Sequence, residues 1–286
     1  MRERGGGISK IRLVNKSAEL KSYYQLHVDF ETIDSMGANF INSCLEIISK
    51  EFRQLLNGSP QFGESEKRIE VIMSILSNYT PECIVQSSLE CKIGDLGNID
   101  GMSSEEFALR FKNAFEIADI DINRAVTHNK GIMNGVDAVL ISTGNDFRAV
   151  EAGIHAFASR KGKYKSLSEC TIIDNIFKIS LRIPLSVGTV GGITDVHPMV
   201  KLSLKLLKSP TSDDLMKIIC SVGLAQNFAA VKSLVTTGIQ KGHMKMHLIN
   251  LLIKQNATKD QIDKSEEYFR DKEINSESIK DFLDQN

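Results

Sequence analysis

Residues 124–153, RAVTHNKGIMNGVDAVLISTGNDFRAVEAG, limit what this chain can fold into more than any other stretch. They set Arg124, His128, Lys130, Asn134 and Asp146 into a background of small and apolar residues. The pattern reads as a helix that ends in a turn at Thr143 and Gly144, followed by a second small-residue helix over 145–160. Lys130 and Asp146 can then meet only where the chain folds back. A Lys held against an Asp at the mouth of an apolar segment keeps an ammonium charged and aimed, as polarising a carbonyl oxygen requires. An ordinary ion pair on a small-residue helix has the same spacing, so the spacing alone leaves both readings open.

The flanking sequence reads as α+β. Residues 8–15 and 22–30 alternate and carry β-branched and aromatic side chains, which predicts two strands. Asp34 is placed to cap a helix running to about Leu56, ended by Asn57-Gly58-Ser59-Pro60. Residues 69–76, IEVIMSIL, read as a third strand, completing part of a small α+β sandwich. Ser103 and Glu106 form a capping box for a helix over 104–120, with Phe107, Phe111, Phe115 and Ile117 expected as its core face. Residues 161–175 are polar and loop-like, and 176–185 alternate as a strand. Helices follow over 196–207, 211–237 and 239–255. Two short helices begun by Thr258 and Ser276 give the C-terminus the look of a small folded flap, hinged near Gly238 and Gly242.

Bulk properties exclude several classes of function. The chain has 286 residues, 42% hydrophobic and 25% charged, enough for one large domain or two ordinary ones. A net charge of −1 implies no nucleic-acid partner. No window approaches the length of an apolar membrane span, and MRERGGGISK has no apolar segment behind its basic residues, so neither a membrane partner nor a signal peptide is expected. Five scattered cysteines without CxxC spacing read as buried thiols of a reducing cytoplasm. His243 and His247 lack the Glu of a metal-binding HExxH, so no metal is expected.

Two glycine-bearing stretches are ligand candidates. Asp34-Ser35-Met36-Gly37 sets small residues around a helix start, where free amides and the positive dipole end suit a phosphate. A capped helix without ligand fits as well. There is no GxGxxG, so this is no Rossmann fingerprint. GTVGGITDVHP, at 188–198, permits close backbone approach either to a ligand or to another segment.

THNKGIMNG followed by TGNDFRAVEAG, with DSMGAN at 34–39, GTVGGITDVHP at 188–198, and GLAQNFAAVK and GIQKGHM between 223 and 244, resembles the 3-hydroxy-3-methylglutaryl-coenzyme A (HMG-CoA) reductases of the bacterial type, class II. The resemblance runs from about Gly5 to the C-terminus. It implies a small non-Rossmann, ferredoxin-like cofactor domain (1–80), a larger helix-rich α/β substrate domain (81–238) and a C-terminal helical flap (239–286). It implies a cytoplasmic homodimer or higher homo-oligomer with sites at the subunit interface. The activity implied interconverts HMG-CoA with mevalonate and CoA through two hydride transfers from NADH or NADPH. By resemblance Lys130 polarises the carbonyl, Asp146 orients that Lys, and His243 protonates the leaving thiolate. Arg124, Thr127, Asn134 and Asn227 contact substrate. Asp34, Met36, Gly37, Asn39 and Asn78 contact the dinucleotide. The Arg makes chemical sense, since HMG-CoA carries a free carboxylate.

The sequence also departs from the family. No ENVIG-like motif, carrying the family's catalytic Glu, is found, and Ser35 replaces an Ala of the dinucleotide motif. Family members carry a long N-terminal stretch before the Gly-Gly-Gly at 5–7. The competing expectation is an inactive fragment, or a non-catalytic subunit that binds CoA or a dinucleotide.

Overall fold

Strand β1 (Gly7–Asn15) pairs antiparallel with β2 (Tyr24–Glu31), Gly7 opposite Glu31 and Asn15 opposite Tyr24, with a bulge between Ile8 and Lys10. The structure, a computed structural model, describes residues 5–238, 248–269, 272 and 274–285. The two strands follow from the alternation, but the sheet stops at two. Residues 69–76 do not form the expected third strand. They lie against helix α1 (Ala38–Gly58), where Asn42 Oδ1 accepts from the Leu76 amide at 2.9 Å. Alternation supplies strand propensity, but a strand needs a partner edge, and this segment bonds to a helix side chain instead.

Helix α1 starts later than the sequence suggests. Its N-cap is Gly37, left-handed at φ 69°, and no side chain caps it. Asp34 is excluded from capping α1 because its carboxylate is engaged elsewhere. Its Oδ1 accepts from the Ser212 amide at 2.8 Å and so caps helix α6 (Ser212–Val235).

Further along come β3 (Ile84–Lys92), α2 (Ser104–Ile120), α3 (Ile122–Ser142), α4 (Phe147–Ala158), β4 (Ser168–Ile173), β5 (Ile176–Pro184) and α5 (Pro198–Leu206). The strands β3, β5 and β4 form a three-stranded sheet in that order. β4 falls where a loop was expected, because its polar Ser168, Glu169 and Thr171 obscure the alternation. The class is α+β, and among the described residues there is no Rossmann sheet.

The chain divides into two compact units, residues 1–89, 118–169 and 179–226 in one and 90–117, 170–178 and 227–286 in the other. In the first, Ile132, Met133, Val136, Leu140, Ile154, Leu181, Leu215 and Ile219 are buried. Glycines set the helix spacing here: a Cβ on Gly135 would lie 2.9 Å from the Val222 carbonyl oxygen, and one on Gly223 would lie 2.9 Å from Val136. In the second unit Phe111 stacks on Phe115 at 5.1 Å and meets Phe177 edge-on at 5.5 Å. Ile117, expected on that face, is 50% exposed, since two residues along a helix turn it about 200° from Phe115. Leu248, Leu252, Phe269, Ile279 and Phe282 form a separate cluster that closes the C-terminal helices Lys259–Tyr268 and Ser276–Gln285 on each other.

Two other expectations change. Helix α6 carries an 18-residue window of mean hydropathy 1.5, long and apolar enough to cross a membrane. Leu215, Ile219, Cys220 and Leu224 on it are buried, so one face packs in the fold, while Val222 and Leu234 are exposed. Of the cysteines, only Cys170 and Cys220 are buried, whereas Cys83 is exposed.

Candidate active site

Helix α3 separates its residues by chemistry. Ala125, His128, Asn129, Ile132, Met133, Val136 and Leu140 are buried. Arg124, Thr127, Lys130 and Asn134 fall within an arc of about 120° on a 3.6-residue repeat. Thr127, Lys130 and Asn134 are exposed and Arg124 is half-buried. One helix face therefore carries a guanidinium, a hydroxyl, an ammonium and a carboxamide. Thr127 uses its hydroxyl proton on the Asn123 carbonyl at 3.0 Å, which leaves its oxygen lone pairs for a ligand.

The buried face fixes that stripe. Asn129 donates to the Lys165 carbonyl at 2.8 Å and accepts from the Leu167 amide at 3.0 Å. His128 Nε2 is 2.7 Å from the Ser168 hydroxyl. Burial first, then the Arg124 charge, pushes the His128 pKa down to about 4. It is thus a neutral structural histidine at physiological pH.

Lys130 and Asp146 are not brought together within one chain. Continuous helix rises about 18 Å between Lys130 and Ser142. The Asn145 amide donates back only as far as the Leu140 carbonyl, at 2.9 Å. Among the described residues no carboxylate pairs with Lys130 within 4.0 Å. Asp146 is the N-cap of α4, its Oδ1 accepting from the Ala149 amide at 3.1 Å. That bond fixes the rotamer while the residue stays exposed.

The turn bearing Asp146 meets the other candidate stretch through the glycine-rich loop. Asn145 Oδ1 accepts from the Gly188 amide at 2.8 Å. The Asp34 carbonyl accepts from Thr189 and Val190 amides at 2.8 and 3.2 Å. A Cβ on Gly188 would collide with the Met36 amide and lie 3.0 Å from the Ser35 carbonyl carbon. Gly188 is therefore a glycine because another backbone segment passes there. The loop serves segment packing, the second of its two sequence readings.

Met36 and Gly37 stand half-buried at the uncapped start of α1, and Asn39 is exposed. The uncapped amides and the glycine cradle fit an anionic dinucleotide group. Asn78 is exposed, and its carbonyl oxygen would lie 2.6 Å from a Cβ on Gly153. Asn227 is buried on α6 and has partners of its own. His243 lies outside the described residues.

Asn145 is the residue that sequence reasoning passed over. Its signal was the TGND turn beside a glycine-rich loop, but nothing local ties positions 145 and 188. Two clefts lie along α1, lined by Arg53, Lys67 and Ile69 and by Lys50, Val71 and Met73. Neither contains a candidate residue. Among the described residues no His, Cys, Asp or Glu cluster could hold a metal.

An uncapped helix start in a glycine cradle, beside a turn with a fixed carboxylate and on an α+β frame, makes a candidate anion-binding arrangement of a kind distinct from the Rossmann fingerprint. The family model for hydroxymethylglutaryl-coenzyme A reductase matches residues 1–248. The chain belongs to that family, in its class II form. The 3-hydroxy-3-methylglutaryl-coenzyme A reductase of Archaeoglobus fulgidus is 35% identical over 283 residues, 98% of this chain and 61% of the relative. A Borreliella burgdorferi protein named "Probable 3-hydroxy-3-methylglutaryl-coenzyme A reductase" is 37% identical over 254 residues, 88% of this chain and 55% of the relative. The class II enzyme of Streptococcus pneumoniae, in a structure bound to NADPH in open conformations, superposes with TM-score 0.74 at 36% identity. That match covers 99% of this chain and 66% of the other. The chain thus spans about three-fifths of the curated relatives it matches.

Proposed function

We propose that this chain works as an HMG-CoA reductase, interconverting HMG-CoA with mevalonate and CoA at the expense of NADH or NADPH, in the cytoplasm. The observation that carries this reading is the polar stripe of α3, which groups a carboxylate-binding Arg124 with the free ammonium of Lys130 on one helix face. Residues 1–80 hold the dinucleotide, 81–238 the substrate, and 239–286 close over it.

Arg124 holds the free carboxylate of the acyl group by paired hydrogen bonds. Thr127, Asn134 and Asn227 orient its remaining oxygens. Lys130 stands at the thioester carbonyl and stabilises the oxyanion as it develops. Met36, Gly37, Asn39 and Asn78 bind the dinucleotide, while Asp34 acts by holding the Gly188 loop and capping α6. The nicotinamide, when bound, supplies the hydride. His243 protonates the departing thiolate, a role suited to a group titrating near neutrality. Asp146 orients Lys130 from a second copy of the chain, because one chain's own Asp146 is out of reach. The functional unit is therefore a homodimer or higher homo-oligomer.

The second reading is a chain that binds CoA or a dinucleotide without turnover, and the separation of Lys130 from Asp146 within one chain favours it. Oxidation of NADH or NADPH at 340 nm with HMG-CoA separates the two. Lys130→Ala lowers turnover about 100- to 1000-fold, the usual effect of losing one oxyanion donor, with its melting temperature unchanged. A Lys130→Ala chain that keeps more than a tenth of the rate rules out the assignment. A wild-type chain that binds both ligands without turnover establishes the second reading.

A further inference from the structure

We propose that Asn145 is a positioning residue, whose carboxamide oxygen locks the Gly188–Val190 loop so that the Asp146 turn and the Asp34–Gly37 segment move as one block. The inference rests on the proposed reductase site and adds a residue to it.

Three sets of bonds make the block. Asn145 Nδ2 donates to the Thr143 hydroxyl at 3.1 Å, and that hydroxyl donates to the Val139 carbonyl at 2.7 Å, so the Asn145 side chain is anchored to the end of α3. Its oxygen then takes the Gly188 amide at 2.8 Å. From Gly188 the loop continues into the two amide bonds on the Asp34 carbonyl, and Asp34 is itself fixed by its carboxylate on Ser212. Thr143 is fully buried and Asn145 half-buried, so water competes poorly for these bonds. Without the Asn145 oxygen, the Gly188 amide loses its partner at the point where the loop passes closest to Met36. Asp146, next in sequence, would keep its own cap but lose its registry with the dinucleotide segment. Asn145 touches neither ligand in this scheme. It sets the spacing between a carboxylate that serves the reacting carbonyl and the amides that hold the cofactor.

The test compares Asn145→Leu, which removes the oxygen, with Asn145→Asp, which keeps an acceptor at the same place. Amide hydrogen exchange at Gly188, Thr189 and Val190 is read in the full chain without ligands. NADPH and HMG-CoA affinities are read separately. In Asn145→Leu exchange at Gly188 accelerates at least tenfold, NADPH affinity falls roughly five- to tenfold, and HMG-CoA affinity stays within twofold. Asn145→Asp restores slow exchange and NADPH affinity to within threefold of wild type. Unchanged Gly188 exchange in Asn145→Leu overturns the proposal. So does an Asn145→Asp chain as impaired as Asn145→Leu, or equal losses for both ligands, which a purely structural role predicts. A wild-type chain that binds neither ligand overturns the reductase reading instead, and the exchange data still decide whether Asn145 locks the loop.

Discussion

Asp137 shows how a single side chain on α3 can carry a cost unrelated to the site. Its Oδ1 is buried without a hydrogen-bond partner, facing Glu151 and His155 of α4, which themselves lie 3.7 Å apart. Burial first, and the Glu151 charge second, raise its pKa to about 6, with His155 opposing. A carboxyl raised in the folded state binds more protons there than in the unfolded chain between about pH 4 and 6. Stability therefore falls as pH rises through that window, and the penalty is fully present above it. Asp137→Asn should raise stability at pH 7 by about 1 kcal/mol, less than the whole shift would give because part of the group is solvent-screened. Urea melts at pH 4 and pH 7 check this, and a gain of the same size at both values would show that charge is not the cause. At this scale the sequence revealed residue types better than partners. The spacing of Arg124, Lys130 and Asn134 on one helix face was readable directly. The capping duty of Asp34 was not, because Asp34 meets Ser212 only through the tertiary fold.

Elements were legible where periodicity was strong and uncontested. Helices α2, α3, α4 and α6 fall within a few residues of their sequence limits, since their apolar faces and breakers coincide. Residues 69–76 and β4 went astray in opposite directions, because strand formation depends on a neighbouring edge that no local pattern encodes. The same dependence on neighbours inverts a propensity rule at Gly153, in the interior of α4. A Gly→Ala change inside a helix normally stabilises by up to about 1 kcal/mol. Here a Cβ would lie 2.6 Å from the Asn78 carbonyl oxygen, which is backbone and cannot swing aside. Gly153→Ala should instead cost about 1–3 kcal/mol, the range for overpacking. By displacing Asn78 it should also weaken NADPH binding severalfold. Thermal melts and cofactor titration read the two effects. A variant at least as stable as wild type would show that α4 can shift away from residue 78 freely.

Across the whole molecule, apolar surface is distributed unevenly. No residue of α1 is buried, and Leu13, Leu55, Ile72, Met73 and Ile75 are between 62% and 73% exposed. Such side chains amid alternating strand and helix patterns mark faces that pack when a further segment is present. The relatives are longer than the region they share with this chain, which spans 61% and 55% of them. The part of the relatives outside this shared region is the candidate cover for the exposed faces. The chain alone should bind a hydrophobic dye. If that cover is right, supplying the N-terminal segment of a relative as a separate polypeptide should suppress the dye signal and, on the proposed function, raise HMG-CoA-dependent NADPH oxidation at least tenfold. The two effects test different links. Dye suppression without activity would mean that the face is covered but the proposed site is not completed by that segment. If the polypeptides fail to co-elute on size exclusion and the dye signal persists, the exposed residues of β1, α1 and 69–76 are not the surface on which that segment packs.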